Sequence, residues 1–252
     1  MRMTTLKQVL TADTLAYGVW SGLDDPIAAE ITGRSGFDFV VVDLQHGFAS
    51  MASAPAIMNA LEHTPSAPVI RVPWNTPDLL MRALDLGAEG VIVPMVSTAA
   101  EARQAVTACR YAPAGNRSWG PLWTTARRHL VDVAEGDEKA TCIAMIETAE
   151  GYANIDEIVR VEGLTAVYVG PNDLALSMGF GRVRFPESPD LQNVIERIVD
   201  VAHAGGIAVG VDCNGTPEIG HWRDYGVDFV ISHTDTTLLV ESSEAAARAA
   251  RG

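Results

Sequence analysis

The stretch VEGLTAVYVGP (161–171) contains the unit that decides the fold: the end of a helical segment, a glycine, and a short apolar run. A glycine in this place ends a helix by adopting a left-handed conformation, and a Val-rich run is typical of a strand buried on both faces. The same unit recurs at 35–43, 86–96, 204–212 and 225–235. The chain therefore repeats one helix-to-strand pattern along most of its length.

Three further apolar runs, at 15–20, 67–73 and 141–147, bring the predicted strands to about eight. The segments between the runs carry apolar residues at helical spacing and often begin at Asp, Thr or Pro, as helices prefer. Alternating buried strands and amphipathic helices indicate a parallel sheet, and about eight units in 252 residues fit a closed (β/α)8 TIM barrel. An open, doubly wound α/β sheet is the alternative.

Composition narrows the class of protein. Eighteen Lys and Arg against 32 Asp and Glu give a net charge of −14, which disfavours nucleic acid and anionic membranes as partners. Cys109, Cys142 and Cys213 lack the spacing of a zinc site or a disulfide framework. We expect a cytoplasmic protein because no signal peptide and no apolar run of about 20 residues is visible. Without a linker or low-complexity tract, residues 1–252 are predicted to form one domain.

Polar side chains gather where the predicted strands end. In a parallel barrel these ends share one rim, where such folds place their active sites. We therefore predict an active site at this rim, although each residue alone is a weak signal. The residues concerned are Asp43, Gln45, His46, Arg71, Glu147, Asn172, Asp173, Asp212, His233 and Asp235.

Glu147 and Asp173 follow neighbouring strands, so both carboxylates could reach one hard divalent cation. Mg²⁺ takes one or two carboxylates and completes its shell with water and substrate oxygens. Asp173 has an alternative role as a helix N-cap. Arg71 ends an apolar strand and needs an anion, which is either a ligand oxygen or a neighbouring carboxylate. His46 is a structural residue or, given the acids and Arg71 on the same rim, a base.

Six motifs in order resemble the HpcH/HpaI aldolase family, the metal-dependent pyruvate aldolases. They are VVVDLQHG (40–47), VIRVPW (69–74), ALDLGAEGVIVPMV (83–96), YAPAGNRSWGP (111–121), MIETAEGYANIDEI (145–158) and VEGLTAVYVGPNDLALSMG (161–179). The resemblance implies a (β/α)8 barrel of the phosphoenolpyruvate/pyruvate superfamily type, assembled as a homo-hexamer, often with the last helix exchanged between subunits. It also implies reversible cleavage of 4-hydroxy-2-oxo acids to pyruvate, or a close analogue such as hydroxypyruvate, and an aldehyde.

The resemblance also implies a role for each matching residue. The general base, which acts through water, matches His46, and the acid that supports it matches Asp85. Arg71 matches the residue that steadies the enolate. Glu147 and Asp173 match the ligands of Mg²⁺, Mn²⁺ or Co²⁺. The turn that binds the substrate carboxylate falls on Asn172 and Asp173, and Trp20, at the end of the first strand, completes the expected substrate-binding set.

Two positions depart from the family pattern, since Gln45 stands where many members have Glu and Met145 where a substrate-contacting Gln is known. Binding of plain pyruvate in the usual way is therefore in doubt. The segment 111–140 is longer than an ordinary connection, and we place it in the βα region of the barrel. Its Arg117, Trp119 and Trp123 border the acceptor pocket, or the tryptophans pack at a subunit interface.

Two other functions stay open. One is a different lyase of the superfamily, such as a citryl-thioester lyase, but the acidic composition shows little sign of a basic groove for coenzyme A phosphates. The other is a non-catalytic barrel that binds a small oxo acid. A class I aldolase is disfavoured because no lysine stands at a predicted strand end.

Overall fold

Within the described residues, eight parallel strands close into a barrel in sequence order, with β8 hydrogen-bonded to β1. The computed structural model describes residues 4–121, 132–183, 185, 187–213 and 215–251. The predicted (β/α)8 barrel is confirmed, and the pairing of β8 with β1 excludes an open sheet. The strands are β1 (Ala16–Ser21), β2 (Phe39–Asp43), β3 (Ala67–Arg71), β4 (Gly90–Val93), β5 (Thr141–Ile146), β6 (Ala166–Val169), β7 (Ala208–Asp212) and β8 (Phe229–Thr234).

Helices alternate with these strands and pack around the outside of the barrel, except for the short helix before β1, whose Leu6 and Leu10 belong to the inner core. Their starts follow the predicted signals: the Asp25 side chain accepts hydrogen bonds from the backbone N–H groups of Ile27 and Ala28, and Thr98 and Glu101 form a capping box. The helices are α1 (Leu6–Leu10), α2 (Pro26–Gly33), α3 (Ala54–Glu62), α4 (Pro77–Asp85), α5 (Ala99–Cys109), α6 (Val133–Lys139), α7 (Ala149–Ala153), α8 (Ile155–Ile158), α9 (Pro171–Ser177), α10 (Pro189–Ala204), α11 (Ile219–Asp224) and α12 (Asp235–Arg251).

Alternation along the strands divides the apolar residues between two cores. One core lies between the strands and the helices, and the other fills the inside of the barrel. Side chains of a strand alternate between its two faces, so two residues after an inward-pointing side chain the next side chain also points into the barrel. On β3, for example, Val69 lies in the inner core and Arg71 is the next inward position. The last inward positions carry the polar residues of the C-terminal rim.

Two phenylalanines fill the centre of the barrel, and two glycines make room for them. The rings of Phe39 and Phe229 meet edge to face with their centroids 6.0 Å apart. A Cβ added at Gly18 would lie 2.2 Å from Phe39 Cε2, and one at Gly210 would lie 2.0 Å from Phe229 Cε2. These glycines are therefore needed for packing inside the barrel rather than for an unusual backbone conformation.

The described parts of the segment 111–140, residues 111–121 and 132–140, do not lie where we placed the segment. They come after α5 and before β5, so they belong to an αβ connection at the N-terminal end of the barrel rather than to the βα region. Its length was visible in the sequence, but the end of the barrel to which it belongs depends on where α5 stops. Trp119 is exposed and packs against Tyr111, with ring centroids 5.1 Å apart, whereas Trp123 lies outside the described residues.

The three cysteines are buried and free, in agreement with the absence of a disulfide pattern. In the part of the chain that the structure describes, no helix combines the length and apolarity required to cross a bilayer. The assignment of residues 1–252 to one domain stays a prediction.

Replacing Gly210 by Ala is expected to lower the free energy of unfolding by about 2–3 kcal/mol, because the new methyl group overlaps the Phe229 ring in a closely packed interior. Urea denaturation measures the change. Gly220→Ala is the matched control, since Gly220 is exposed in α11 and a Cβ there meets no atom within 4 Å. An equally small effect of both substitutions would contradict the packing requirement.

Candidate active site

A cavity of about 160 Å³ opens at the C-terminal rim of the barrel, where the polar strand ends converge. Five of the seven residues predicted from the sequence to bind substrate, metal or a proton line it together, while Glu147 and Asp85 are not among the lining residues. The lining residues are Trp20, His46, Arg71, Met145, Gly170, Pro171, Asn172, Asp173 and Asp212.

Arg71 is held by Asp43, the residue opposite it on the neighbouring strand. Arg71 Nε donates to Asp43 Oδ1 at 2.8 Å, and Nη2 donates to Oδ2 at 2.6 Å. The guanidinium carbon lies 4.2 Å from the centre of the Trp20 ring, a cation–π contact. The sequence left open whether Arg71 pairs with a ligand oxygen or with a neighbouring carboxylate. In the structure its partner is the Asp43 carboxylate. Nη1 donates to no described residue and remains available to a ligand.

The Asp43 carboxylate also holds the turn that carries His46. Its Oδ1 accepts the backbone N–H groups of Gln45 at 3.0 Å and His46 at 3.2 Å. Burial acts to raise the pKa of Asp43, but the Arg71 guanidinium and the two backbone donors outweigh it, so the pKa lies below its ordinary value. Asp43 is therefore a charged residue that fixes Arg71 and the His46 turn at once.

The His46 side chain is exposed at the cavity. No carboxylate of the described residues hydrogen-bonds its ring, so the structure gives it access to a ligand without a supporting acid from its own chain. The role of general base stays a prediction. Next to it, the Oε1 atom of Gln45 is buried and has no hydrogen-bond partner among the described residues.

Asp85 lies far from the position that its predicted role requires. It ends α4, which runs from the C-terminal end of β3 to the N-terminal end of β4, so Asp85 lies toward the end of the barrel opposite His46. There Arg117 Nη2 donates to Asp85 Oδ1 at 2.6 Å, and the Arg117 guanidinium lies over the Tyr111 ring. Within this chain, Asp85 pairs with Arg117, and its role as the acid that supports His46 stays a prediction.

Glu147 follows β5 and is almost fully buried, with 3% of its surface exposed. Its Oε1 accepts the backbone N–H of Met95 at 2.7 Å, and Met95 has a left-handed backbone with φ of 59°, which is strained for a residue with a side chain. A Cβ added at Gly170 would lie only 3.0 Å from Glu147 Oε2. The strained turn and the glycine together place this carboxylate beside the cavity.

Glu147 and Asp173 are close enough to influence each other. Burial raises the pKa of Glu147, the Met95 N–H opposes the increase, and the Asp173 carboxylate adds to it. Asp173 is the third residue of α9 and not its N-cap, which is Gly170, so the capping alternative is wrong. Two like charges arranged in this way fit a shared cation. No group of three or more His, Cys, Asp or Glu that could hold a metal occurs in the described residues, but Mg²⁺ needs only one or two carboxylates.

Asp212 lines the cavity together with Asp173, and the sequence assigned no role to Asp212. Trp20 Nε1 and the Tyr168 hydroxyl both donate to Asp212 Oδ1, each at 2.9 Å. Burial raises the pKa of Asp212 even though both donors oppose the increase. Burial, reinforced by Asp212, raises the pKa of Tyr168 well above its ordinary value, so Tyr168 stays protonated and donates. The position of Asp212 at a strand end was visible in the sequence, but its partners on β1 and β6 were not.

Replacing Asp43 by Asn is expected to lower the free energy of unfolding by about 3 kcal/mol at pH 7, because Arg71 is left buried without its anion. Since the pKa of Asp43 in the folded protein lies below 3.8, its stabilisation is complete above that pH and is lost as the pH falls further. Urea denaturation should therefore show a constant difference between pH 7 and pH 5 that narrows only below about pH 4. Glu30→Gln, in the exposed pair with Arg34, is the control and should change stability by less than about 1 kcal/mol. An equally small loss in Asp43→Asn would contradict the role given to Asp43.

Comparisons with known proteins agree with this geometry. The family model described as HpcH/HpaI aldolase/citrate lyase matches residues 16–241. A 4-hydroxy-2-oxo-heptane-1,7-dioate aldolase of Salmonella paratyphi C (strain RKS4594) is 35% identical over 244 residues, which cover 96% of this chain and 92% of the relative.

Solved structures give the same result. A family protein from Burkholderia cenocepacia J2315, described as HpcH/HpaI aldolase/citrate lyase, superposes with a TM-score of 0.89 at 27% identity and covers 98% of this chain and 99% of its own. Citrate synthase SbnG superposes with a TM-score of 0.86 at 28% identity, over 98% of this chain and 97% of its own. Because the family model spans most of the chain and the Salmonella relative aligns along nearly all of it, the chain belongs to the HpcH/HpaI aldolase/citrate lyase family of carbon–carbon lyases.

Proposed function

We propose that this enzyme is a class II aldolase that reversibly cleaves 4-hydroxy-2-oxo acids to pyruvate or hydroxypyruvate and an aldehyde. The observation that carries the proposal is the pair of mutually repelling carboxylates, Glu147 and Asp173, close to a fixed guanidinium that has a donor to spare. The Salmonella relative is named for cleavage of a 4-hydroxy-2-oxo acid, which supports the same reaction class.

The residues present fit a divalent cation. Glu147 Oε2 accepts no hydrogen bond from a described residue and lies beside Gly170 at the cavity wall, and Asp173 lines the cavity. These hard oxygen ligands suit Mg²⁺, Mn²⁺ or Co²⁺. When bound, the cation would supply Lewis-acid stabilisation of the negative charge that develops on the keto oxygen of the substrate.

The protein residues supply orientation and proton transfer. Arg71 Nη1 donates to the keto oxygen, while Asp43 and the Trp20 ring fix the plane of the guanidinium. His46 removes the proton of the 4-hydroxyl group during cleavage and returns it during addition. The backbone turn at Asn172 and Asp173 lies at the same cavity, where the family resemblance predicts the substrate carboxylate.

The predicted homo-hexamer has support on the surface of this chain. Ile27 and Ile31 on α2 and Leu239 and Val240 on α12 are large apolar side chains with more than half of their surface exposed. Assembly would also allow Asp85 its predicted role. Because Asp85 and His46 lie toward opposite ends of one barrel, an Asp85 that supports His46 has to come from a neighbouring subunit. The cytoplasmic location is likewise a prediction.

Removal of divalent metal by a chelator is expected to abolish pyruvate release from a 4-hydroxy-2-oxo acid, and Mg²⁺ or Mn²⁺ should restore it. Glu147→Gln should weaken Mn²⁺ binding at least tenfold, measured by electron paramagnetic resonance, because one of the two charged ligands is lost. Glu150→Gln, an exposed carboxylate three residues away, is the control and should bind Mn²⁺ like the native protein. Turnover that survives chelation undiminished would reject the class II mechanism.

His46→Ala is expected to lower kcat about 10²–10⁴-fold while the affinity for the oxo acid stays within about threefold, because the imidazole moves a proton and adds little binding. Steady-state kinetics and calorimetric titration with pyruvate measure the two effects. His63→Ala removes an exposed histidine at the end of α3 and should have no effect on either. A native protein that binds oxo acids without any turnover would instead indicate the non-catalytic barrel, and turnover only with a citryl thioester would indicate the other lyase.

A further inference from the structure

Asp212 faces the cavity without a part in the proposed chemistry. It ends β7 and lines the same cavity as Arg71 and Asp173. Its Oδ1 accepts two hydrogen bonds from Trp20 and Tyr168, whereas no described residue donates to Oδ2. Asp212 is half-buried, and once a ligand displaces water from the cavity, a carboxylate oxygen left without a donor is costly. A ligand in the cavity can supply one.

The surroundings of Asp212 separate it from the predicted metal ligands. The charged groups that influence its pKa are Arg71 and Asp43, while Glu147 is influenced by Asp173 and Arg71. Asp212 ends β7, whereas Glu147 follows β5 and Asp173 follows β6, so Asp212 lies one strand further around the barrel than the predicted metal ligands. Arg71 Nε and Nη2 both donate to Asp43, and no basic side chain of the described residues forms an ion pair with Asp212, which therefore acts as a hydrogen-bond acceptor.

Asp212 is also held firmly in one position. Trp20 and Tyr168, which donate to it, pack edge to face with ring centroids 6.0 Å apart, and Tyr168 stacks on Phe229 in the inner core. Acceptors fixed in advance discriminate between ligands better than mobile ones, because no ordering of the side chain opposes binding.

The small size of the cavity decides which part of a substrate reaches Asp212. About 160 Å³ is shared by Arg71, Asp173 and Asp212, so a three-carbon 2-oxo acid held by Arg71 and the metal ligands occupies most of it. Carbon 3 of that acid is the end remote from the carboxylate. Of the two carboxylates that line the cavity, Asp173 is assigned to the metal, so Asp212 is the remaining carboxylate acceptor for this end, and Met145 adds an apolar surface to the cavity wall.

We propose that Asp212 determines donor specificity by accepting a hydrogen bond from a hydroxyl group on carbon 3 of the 2-oxo acid, so that hydroxypyruvate is preferred to pyruvate. The inference rests on the proposed aldolase function and names its donor. A methyl group in the same place leaves Oδ2 desolvated without a donor, and sites built to bind a hydroxyl group reject analogues that lack it.

The test is the ratio of kcat/KM for hydroxypyruvate to kcat/KM for pyruvate, measured in aldol addition to one aldehyde with Mn²⁺ present. The native enzyme should prefer hydroxypyruvate at least tenfold, and Asp212→Leu should lower the ratio about tenfold or more. Asp212→Asn, which keeps an acceptor and the shape of the side chain, should lower it less. If Asp212 only holds Trp20 and Tyr168 in place, Asp212→Leu lowers kcat/KM equally for hydroxypyruvate and for pyruvate. The ratio then does not change, and the inference is overturned.

Calorimetric titration of the Mn²⁺-loaded protein with hydroxypyruvate and with pyruvate separates this inference from the proposed function. If the native protein turns over neither hydroxypyruvate nor pyruvate, the proposed aldolase function fails. The role of Asp212 is still supported if the native protein binds hydroxypyruvate more tightly than pyruvate and Asp212→Leu abolishes this difference. Equal binding of the two acids, or binding of neither, overturns it. Turnover with a preference for pyruvate leaves the aldolase function standing and rejects the hydroxyl-recognition role.

Discussion

The ion pair between Asp43 and Arg71 is the interaction on which the site depends. One buried carboxylate accepts two hydrogen bonds from the guanidinium and two from the backbone of the turn that carries His46. It thereby links the ends of β2 and β3, fixes Arg71 over the Trp20 ring and leaves Nη1 free for a ligand. Losing this carboxylate would release both the cationic group and the predicted base, because both take their position from the same two oxygens.

Three further carboxylates stand near this pair. Glu147 and Asp173 form a repelling pair that fits a divalent cation, and Asp212, at the end of β7, accepts hydrogen bonds from Trp20 and Tyr168. All of these carboxylates lie at the C-terminal end of the barrel, next to an apolar inner core that contains the aromatic rings of Trp20, Tyr168 and Phe229. A charge at this level of the barrel is tolerated because each carboxylate has either hydrogen-bond donors or the opening of the cavity beside it.

Much of the site could be predicted from the order of residues along the strands. Arg71, Glu147, Asn172 and Asp173 were placed at one rim because parallel strands end on the same side, and the structure confirms that rim. Asp85 shows the limit of such reasoning. A motif identifies the residue type, but the structure places this residue at the other end of its own barrel, paired with Arg117. Position along the chain does not determine with which side chain Asp85 pairs.

The sequence by itself determined the eight helix-to-strand units, the parallel sheet and the polar strand ends, because period-two burial and glycine-ended helices are local properties of the chain. Only the tertiary structure decided that the barrel closes, that Arg71 pairs with Asp43, that Asp212 receives its donors from β1 and β6, and that the described part of the segment after α5 lies at the end opposite the cavity. These contacts join residues far apart in the chain, and they depend on the register and closure of the barrel, which no local pattern of residues records.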